Sequence, residues 1–598
     1  PLGNVIAYEF DSTNNLASIT DALGEADSYQ VDSVGNVVEL VDRNGKRRTF
    51  EWDANRRLVA ERWHNGSGAV VREISFNYAL NRGLTSVDDS SAGTTYSLVY
   101  SGTLPRPTRV NYVLPGQAAW SINYTWSDEA VHPKTISVRS GGSVDLAWIG
   151  VESFGGQVWG VEWWHPDTNS QNVRLVRDSD GSIRRIERDT DPDEDFEIFT
   201  DIERDALGRI HRMRHVDAAD ALLHPEADHS YLRDAEDRLI EELTAGNTVA
   251  YAYDDNGQLV SATHDHPAYA DEIYSYDAAG NRVSSHLAPT PATIAAANRV
   301  TAAGDFDYEY DNAGNLIRRT DGATGRVTEF DYDHRNRMIR ATTHPALGAP
   351  ADNVLEFEYD YRDRLLYRIV NGTRTWILHD RDQPVAEFVD AGSTLDAAYL
   401  YDPAVLDRVF GVWRDDAIGT RWLLHDQLGS VHGITDPNGL VLAWLDYDAF
   451  GNLQPGSIAE PGVRLGFASR PWIPEIGLYD NRRRFYDPFL GRFTQEDPTR
   501  HQGRDFNLYR YALNAPTELV DPTGEISAAD LFEIVNLVLQ VYIESQTLET
   551  PCSIANAVAA GFGYLIPVAE IVIDPTAFGD RPTIEPEPLL ELTGCNTR

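Results

Sequence analysis

Tyr308-Glu309-Tyr310-Asp311-Asn312-Ala313-Gly314-Asn315-Leu316 is the stretch from which the fold can be read. Tyr308 and Tyr310 alternate with period two, so both lie on one face of a strand. Asp311 followed three residues later by Gly314 is turn chemistry: the carboxylate caps backbone N–H groups and the glycine accepts positive φ. Leu316 then opens a returning strand. The unit is a β-hairpin.

Working outward, the same unit recurs. Upstream copies are Tyr8-Glu9-Phe10-Asp11, Tyr29-Gln30-Val31-Asp32 with Gly35, Phe50-Glu51-Trp52-Asp53, Tyr251-Ala252-Tyr253-Asp254 with Gly257, and Tyr274-Ser275-Tyr276-Asp277 with Gly280. Downstream copies are Asp331-Tyr332-Asp333 and Phe357-Glu358-Tyr359-Asp360, and degenerate ones surround Asp205 and Asp234. A single hairpin is marginal alone, so neighbours must stack. Helical patterns are missing before residue 525. The expectation is an all-β protein, one long antiparallel hairpin array. Tyr253, Tyr276 and Tyr310 hold equivalent positions, and each is expected to pack against the next repeat.

The 598 residues carry Lys+Arg 51 against Asp+Glu 93, a formal charge of −42. With 42 % hydrophobic residues this is no disordered acidic tail. Nucleic-acid affinity rests on Lys and Arg meeting phosphates, so no nucleic-acid partner is expected. The lysines are Lys46 and Lys134, neither in a Gly-Lys-Ser/Thr phosphate loop. Cys552 and Cys595 give no zinc site; they form one bridge in an oxidising compartment or remain two thiols. The chain opens on Pro1-Leu2-Gly3-Asn4 without a signal peptide in view, and reads as a piece of a longer protein.

The most specific residues come late: Leu424-His425-Asp426-Gln427-Leu428-Gly429-Ser430, then Gly477-Leu478-Tyr479-Asp480-Asn481-Arg482-Arg483-Arg484-Phe485-Tyr486-Asp487-Pro488, Gly491-Arg492-Phe493, Asn507-Leu508-Tyr509, and Asp521-Pro522-Thr523-Gly524. With the hairpin array, these resemble the YD-repeat (Rhs) family, which includes toxin-complex C components and the teneurin shell. The resemblance implies a sheet that spirals into a hollow shell. Its boundaries here would be a YD-repeat shell over 1–420, an Rhs-associated core over 421–524 that closes one end, and a C-terminal segment, 525–598.

The resemblance also implies an intramolecular aspartyl protease, with Asp497 and Asp521 (each before a proline) as the pair and Arg492 as the cation that orients it. Two close carboxylates cannot both ionise cheaply, so they share a proton and divide acid and base roles. The cut would fall after Gly524 or Glu525. Arg500 stands where the pattern has glycine, and Glu525 where it has leucine. A negative side chain at 525 raises the cost of ionising the pair, so the expectation is impaired cleavage. The alternative is that each aspartate only caps its own turn.

Other constellations are weaker. His264 with His266, and His211 with His215, have metal-like spacings but no third ligand, and the acidic run Asp189 to Asp195 lacks EF-loop spacing. No metal or cofactor is expected. The segment 525–598 has apolar runs at Leu531–Ile543 and Ile554–Ile573 and is expected to be helical and packed inside or against the shell. Two functions stand. One is a secreted bacterial carrier enclosing its own C-terminal segment, served by secretion machinery or upstream domains. The other is a cell-surface structural or adhesion protein whose shell is a rigid spacer binding glycan or protein.

Overall fold

The computed structural model describes residues 5–525 apart from 80–82, 91–92, 101–105, 117–118, 127–131, 141–143, 155–156, 165–169, 190–195, 390–394 and 501–504. The predicted C-terminal helices, both cysteines and most of the acidic run 189–195 therefore lie outside the described residues.

The hairpin read from residues 308–316 forms as its turn chemistry requires. Strand Phe306–Tyr310 pairs antiparallel with Leu316–Asp321. Asp311 Oδ1 accepts the Asn315 N–H at 2.8 Å, and Gly314 sits at φ +85°. The register shifts between Glu309 and Tyr310, and likewise at Ala252/Tyr253, Asp331/Tyr332 and Glu358/Tyr359. Each of these repeats thus carries a bulge at the aromatic before the aspartate, and a bulge re-aims the side chain beside it.

The re-aimed tyrosine explains why the repeat prefers tyrosine to phenylalanine. Its hydroxyl donates to the carbonyl that follows the preceding turn: Tyr332 to Leu316, Tyr359 to Met338, Tyr276 to Leu259 and Tyr253 to Leu239, all at 2.7 Å. Trp52 does the same with its indole N–H, to Val37 O at 2.8 Å. An aromatic with a polar tip can thereby bury its ring and satisfy an otherwise orphaned carbonyl. Tyr253 and Tyr276 thus bond back to the preceding repeat, and both rings pack against the cluster of Leu259, Tyr274 and Phe450. Tyr310 differs again: its ring stands edge-on to Tyr509 at 5.9 Å.

Among the described residues the hairpins join into a meander of 23 strands, from Ala7–Phe10 to Glu272–Ile273. A second, of 15 strands, runs from Thr293–Ile294 to Val441–Trp444. The second passes residue 421 without a break, since strand Thr420–His425 pairs on both sides. Its hairpins lie along those of the first. Arg72 Nη2 donates to Tyr359 O (2.8 Å), Tyr112 OH to His379 O (2.8 Å), and Arg188 Nη2 to Leu423 O (3.1 Å). Between the courses, Ile74, Trp120 and Trp163 of the first pack with Trp376, Phe388 and Trp413 of the second in one buried cluster. Each such side chain contributes about 1.5–3 kcal/mol by leaving water. The hairpin array therefore winds back on itself as an all-β shell, and residues 445–525 fold onto its end.

Candidate functional site

The end segment is built on a small sheet, Trp472–Ile473, Leu478–Asn481, Arg484–Asp487 and Arg492–Phe493. A two-residue turn, Arg482-Arg483, joins its central strands, with Arg482 at φ +64°. This turn is fixed from the shell side. Asp407 receives Arg482 at 2.6 and 2.9 Å and Arg470 at 2.8 Å.

Asn481 to Arg484 grip the last described residues one carbonyl at a time. Asn481 Nδ2 donates to Asp521 O at 2.8 Å, and Arg482 Nη1 to Pro522 O. The Arg483 backbone N–H donates to Thr523 O at 3.2 Å, and Arg484 Nε to Gly524 O. Gly524 has φ +72°, and a Cβ there would lie 2.5 Å from Asn481 O. Only glycine lets the backbone come so near the turn.

Both sequence-predicted aspartates are here and buried. Asp497 Oδ1 accepts the Thr499 N–H (2.8 Å) and hydroxyl (2.6 Å); Asp521 Oδ1 accepts the N–H groups of Gly524 (2.8 Å) and Glu525 (3.1 Å). Each therefore caps its own turn. Their other oxygens meet at a single nitrogen: Arg484 Nη2 lies 3.0 Å from Asp497 Oδ2 and 3.3 Å from Asp521 Oδ2. Turn capping and convergence on one guanidinium coexist, because a carboxylate has one oxygen for the turn and one to spare.

Arg492 is not with them. It lies over the Tyr509 ring at 4.5 Å and donates to Asn298 O at 2.7 Å and Asn281 Oδ1 at 3.3 Å, where it ties the end segment to the turns near 281 and 298. The guanidinium beside the carboxylates belongs to Arg484, stacked on Phe493 at 3.7 Å and held by Leu508 O at 3.0 Å. Arg500 adopts φ +55°, the conformation that favours glycine at its position, and its side chain pairs with Asp27 across the shell.

The electrostatics follow from burial. Desolvation pushes the Asp497 carboxyl up to about 6; Arg484 opposes this and the Asp521 charge adds to it. Burial also raises the Glu525 carboxyl, against the pull of Arg483 at 3.6 Å and with the push of Asp497. The candidate histidine pairs do not converge. His264 bonds Glu272 (2.9 Å), His266 leans on Tyr269, His211 faces Glu203 on the surface (3.6 Å), and His215 is buried against Thr200 (2.9 Å). Asn481 and Arg484 carry roles that the sequence reading did not assign. The signal was the Asn-Arg-Arg-Arg run at a tight hairpin turn, which concentrates hydrogen-bond donors in four residues.

Comparison with known proteins places these features in a family. The Teneurin YD-shell family model matches residues 242–517, and the RHS Repeat model matches residues 31–62. Toxin protein Tse5 of Pseudomonas aeruginosa is 35% identical over 142 residues, 23% of this chain and 10% of that protein. Double-stranded DNA deaminase toxin A of Burkholderia cenocepacia is 28% identical over 301 residues, 46% of this chain and 20% of that protein. The chain thus matches a fifth or less of the length of these relatives. Among solved structures, TcdB2-TccC3-TEV superposes over 87% of this chain and 28% of its own, with TM-score 0.60 and 14% identity, a likeness of fold.

Proposed function

This chain belongs to the YD-repeat/Rhs family, and we propose that it is a carrier shell for its own C-terminal segment, with an aspartyl self-cleavage site where that segment leaves the shell end. The observation that carries the reading is the grip of Asn481–Arg484 on the carbonyls of 521–524. It holds the 524–525 peptide bond with its carbonyl on Arg484 and its N–H on Asp521 Oδ1, beside Asp497.

In the proposed chemistry Asp497 takes a proton from water, and the oxygen adds to the Gly524 carbonyl carbon. Arg484 Nε–H steadies the charge that develops on Gly524 O, to which it already donates. The C–N bond then breaks, and Asp521, whose Oδ1 lies 3.1 Å from the Glu525 nitrogen, returns a proton to the leaving amine. The pair must hold one proton between them. Glu525, partly buried beside them, raises the cost of the one negative charge that the pair needs to act as a base, so the bond stays intact in most molecules at neutral pH. A bacterial secreted or cell-surface setting accompanies this reading.

Intact mass and a denaturing gel of the full chain test the site. We expect full-length protein for the wild type and a fragment ending at 524 or 525 for Glu525→Leu, faster near pH 6 than at pH 8. Asp521→Asn in that background should remain whole. A Glu525→Leu protein that stays whole from pH 5 to 8 overturns the self-cleavage reading. Proteinase K tests the carrier: a shell cut no faster at 526–598 than within 5–525 supports enclosure, and immediate loss of 526–598 overturns it.

A further inference from the structure

Away from the aspartate pair, three side chains from distant segments meet near the end of the first sheet. Glu272 lies on the strand Glu272–Ile273, His286 follows the strand Arg282–Ser284, and Asp448 opens the turn that ends at Asn452. One ligand atom of each lies within 4.8 Å of the others. Glu272 and Asp448 are 1% and 3% exposed. Neither forms a salt bridge with Arg or Lys among the described residues. Arg282 lies instead over Phe450 at 4.4 Å and donates to Phe489 O. Two buried carboxylates so placed call for a positive partner.

The spacing identifies the kind of partner. His286 Nε2 stands 3.6 Å from Asp448 Oδ2, too far for a hydrogen bond. Two ligands bound at about 2.0–2.1 Å to one tetrahedral zinc ion stand roughly 3.4 Å apart. The ligands are also oriented from outside. Glu272 faces His264 Nε2 at 2.9 Å, itself 3.0 Å from Asn247, and accepts the Ala449 N–H at 3.0 Å. Asp448 Oδ1 is fixed by the N–H groups of Phe450 (3.0 Å) and Asn452 (2.9 Å). Such supporting bonds hold metal ligands in place.

A second observation points the same way. Glu272 and Asp448 line a cavity of about 100 Å³ that has carboxylates Glu226, Glu242 and Asp446 and histidines His229 and His432 in its wall, and neither Arg nor Lys. His229 is 2% exposed; its Nδ1 meets Glu242 at 2.9 Å, and its Nε2 has no hydrogen-bond partner. The wall is anionic and offers a free imidazole nitrogen, which suits the entry of a cation.

We propose that Glu272, His286 and Asp448 form a binding site for a divalent cation of the zinc class, which pins the end of the first sheet to the first turn of the end segment. Mixed imidazole and carboxylate donors suit such ions better than all-oxygen Ca²⁺ sites. The test uses the full chain stripped with EDTA, then titrated with Zn²⁺ by calorimetry and assayed for metal content. We expect one Zn²⁺ per chain. His286→Ala and Asp448→Asn, the latter keeping the Oδ1 turn cap, should each weaken binding by about 100-fold or more. His211→Ala, on the exposed surface, should leave it unchanged. Circular dichroism checks the sheet in each variant. No Zn²⁺ uptake by the wild type, or unchanged affinity in a folded His286→Ala or Asp448→Asn, overturns the site. Should both variants fail to fold, Co²⁺ added to the wild type decides: absorption of a four-coordinate nitrogen–oxygen site supports it, and the spectrum of aqueous Co²⁺ overturns it.

Discussion

The turn at Asp311–Gly314 and the turn at Asp521–Gly524 share an aspartate cap and a left-handed glycine but have opposite surroundings. In both, Oδ1 of the aspartate accepts the N–H four residues on, from Asn315 at 2.8 Å and Glu525 at 3.1 Å, and the glycine has positive φ. In the array the second oxygen is consumed by neutral amides, Asn315 at 2.8 Å and Asn44 at 2.9 Å. In the end segment it faces Arg484, shared with Asp497. The same kind of turn aspartate thus becomes one of two carboxylates at a single guanidinium when the fold brings two turns together. The turns differ in one bond: the Gly314 N–H donates to the Asp311 carbonyl at 3.1 Å, whereas the Gly524 N–H donates to Asp521 Oδ1 at 2.8 Å.

The sharpest way to break this comparison is to remove the shared cation. Arg484→Met leaves two buried carboxylates without their partner and should cost about 4 kcal/mol. Arg57→Ala removes a half-exposed pairing with Asp53 at an array turn and should cost about 0–1 kcal/mol. Equal denaturant midpoints for the two variants would show that the end segment is energetically just another repeat.

The next effect is in pH. Burial raises the Asp497 carboxyl from 3.8 to about 6 in the folded chain. Between those values the folded state binds more protons than the unfolded one, so this group's contribution falls as pH rises through that window, by about 3 kcal/mol in all. Asp497→Asn mimics the neutral acid. It should match the wild type near pH 4 and exceed it by about 3 kcal/mol at pH 7 in urea melts. Asp32, an array aspartate whose carboxyl hydrogen bonds hold it below its usual range, should show the opposite slope or none when changed to Asn.

Glycines sharpen the contrast further. Gly257 in the array has φ +77° and open space where a methyl group would stand, so Gly257→Ala should cost only the left-handed strain, about 1–2 kcal/mol. Gly524→Ala adds a backbone clash and should cost about 2 kcal/mol more. A smaller difference would show that the 521–524 loop can lift from its clamp. Smallest is the hydroxyl of the repeat: Tyr276→Phe loses the bond to Leu259 O and should cost about 1 kcal/mol by denaturant melt.

Much of this could be read from the chain. Alternating aromatics, Asp-x-x-Gly spacing and the following aliphatic specify each hairpin, because strand period and turn geometry are settled within a few residues. The tyrosine's backward bond was not legible, since it depends on a bulge that shifts register by one residue. Nor was the choice between two arginines. Arg492 is nearer to Asp497 in sequence, but Arg484 pairs with Asn481 at the turn that holds 521–524, and that pairing decides which guanidinium points at the carboxylates.

Local features were legible in the chain: an all-β array, its turns, and an aspartate that caps each turn. Which distant group reaches the second oxygen is set by tertiary structure: the Asn44 amide at Asp311 and a shared guanidinium at Asp497 and Asp521. The physical reason is range. Turn formation is settled over four or five residues of backbone, whereas ion pairs and desolvation depend on ångström-scale approach between segments that are 13 to 37 residues apart here, or hundreds apart across the shell.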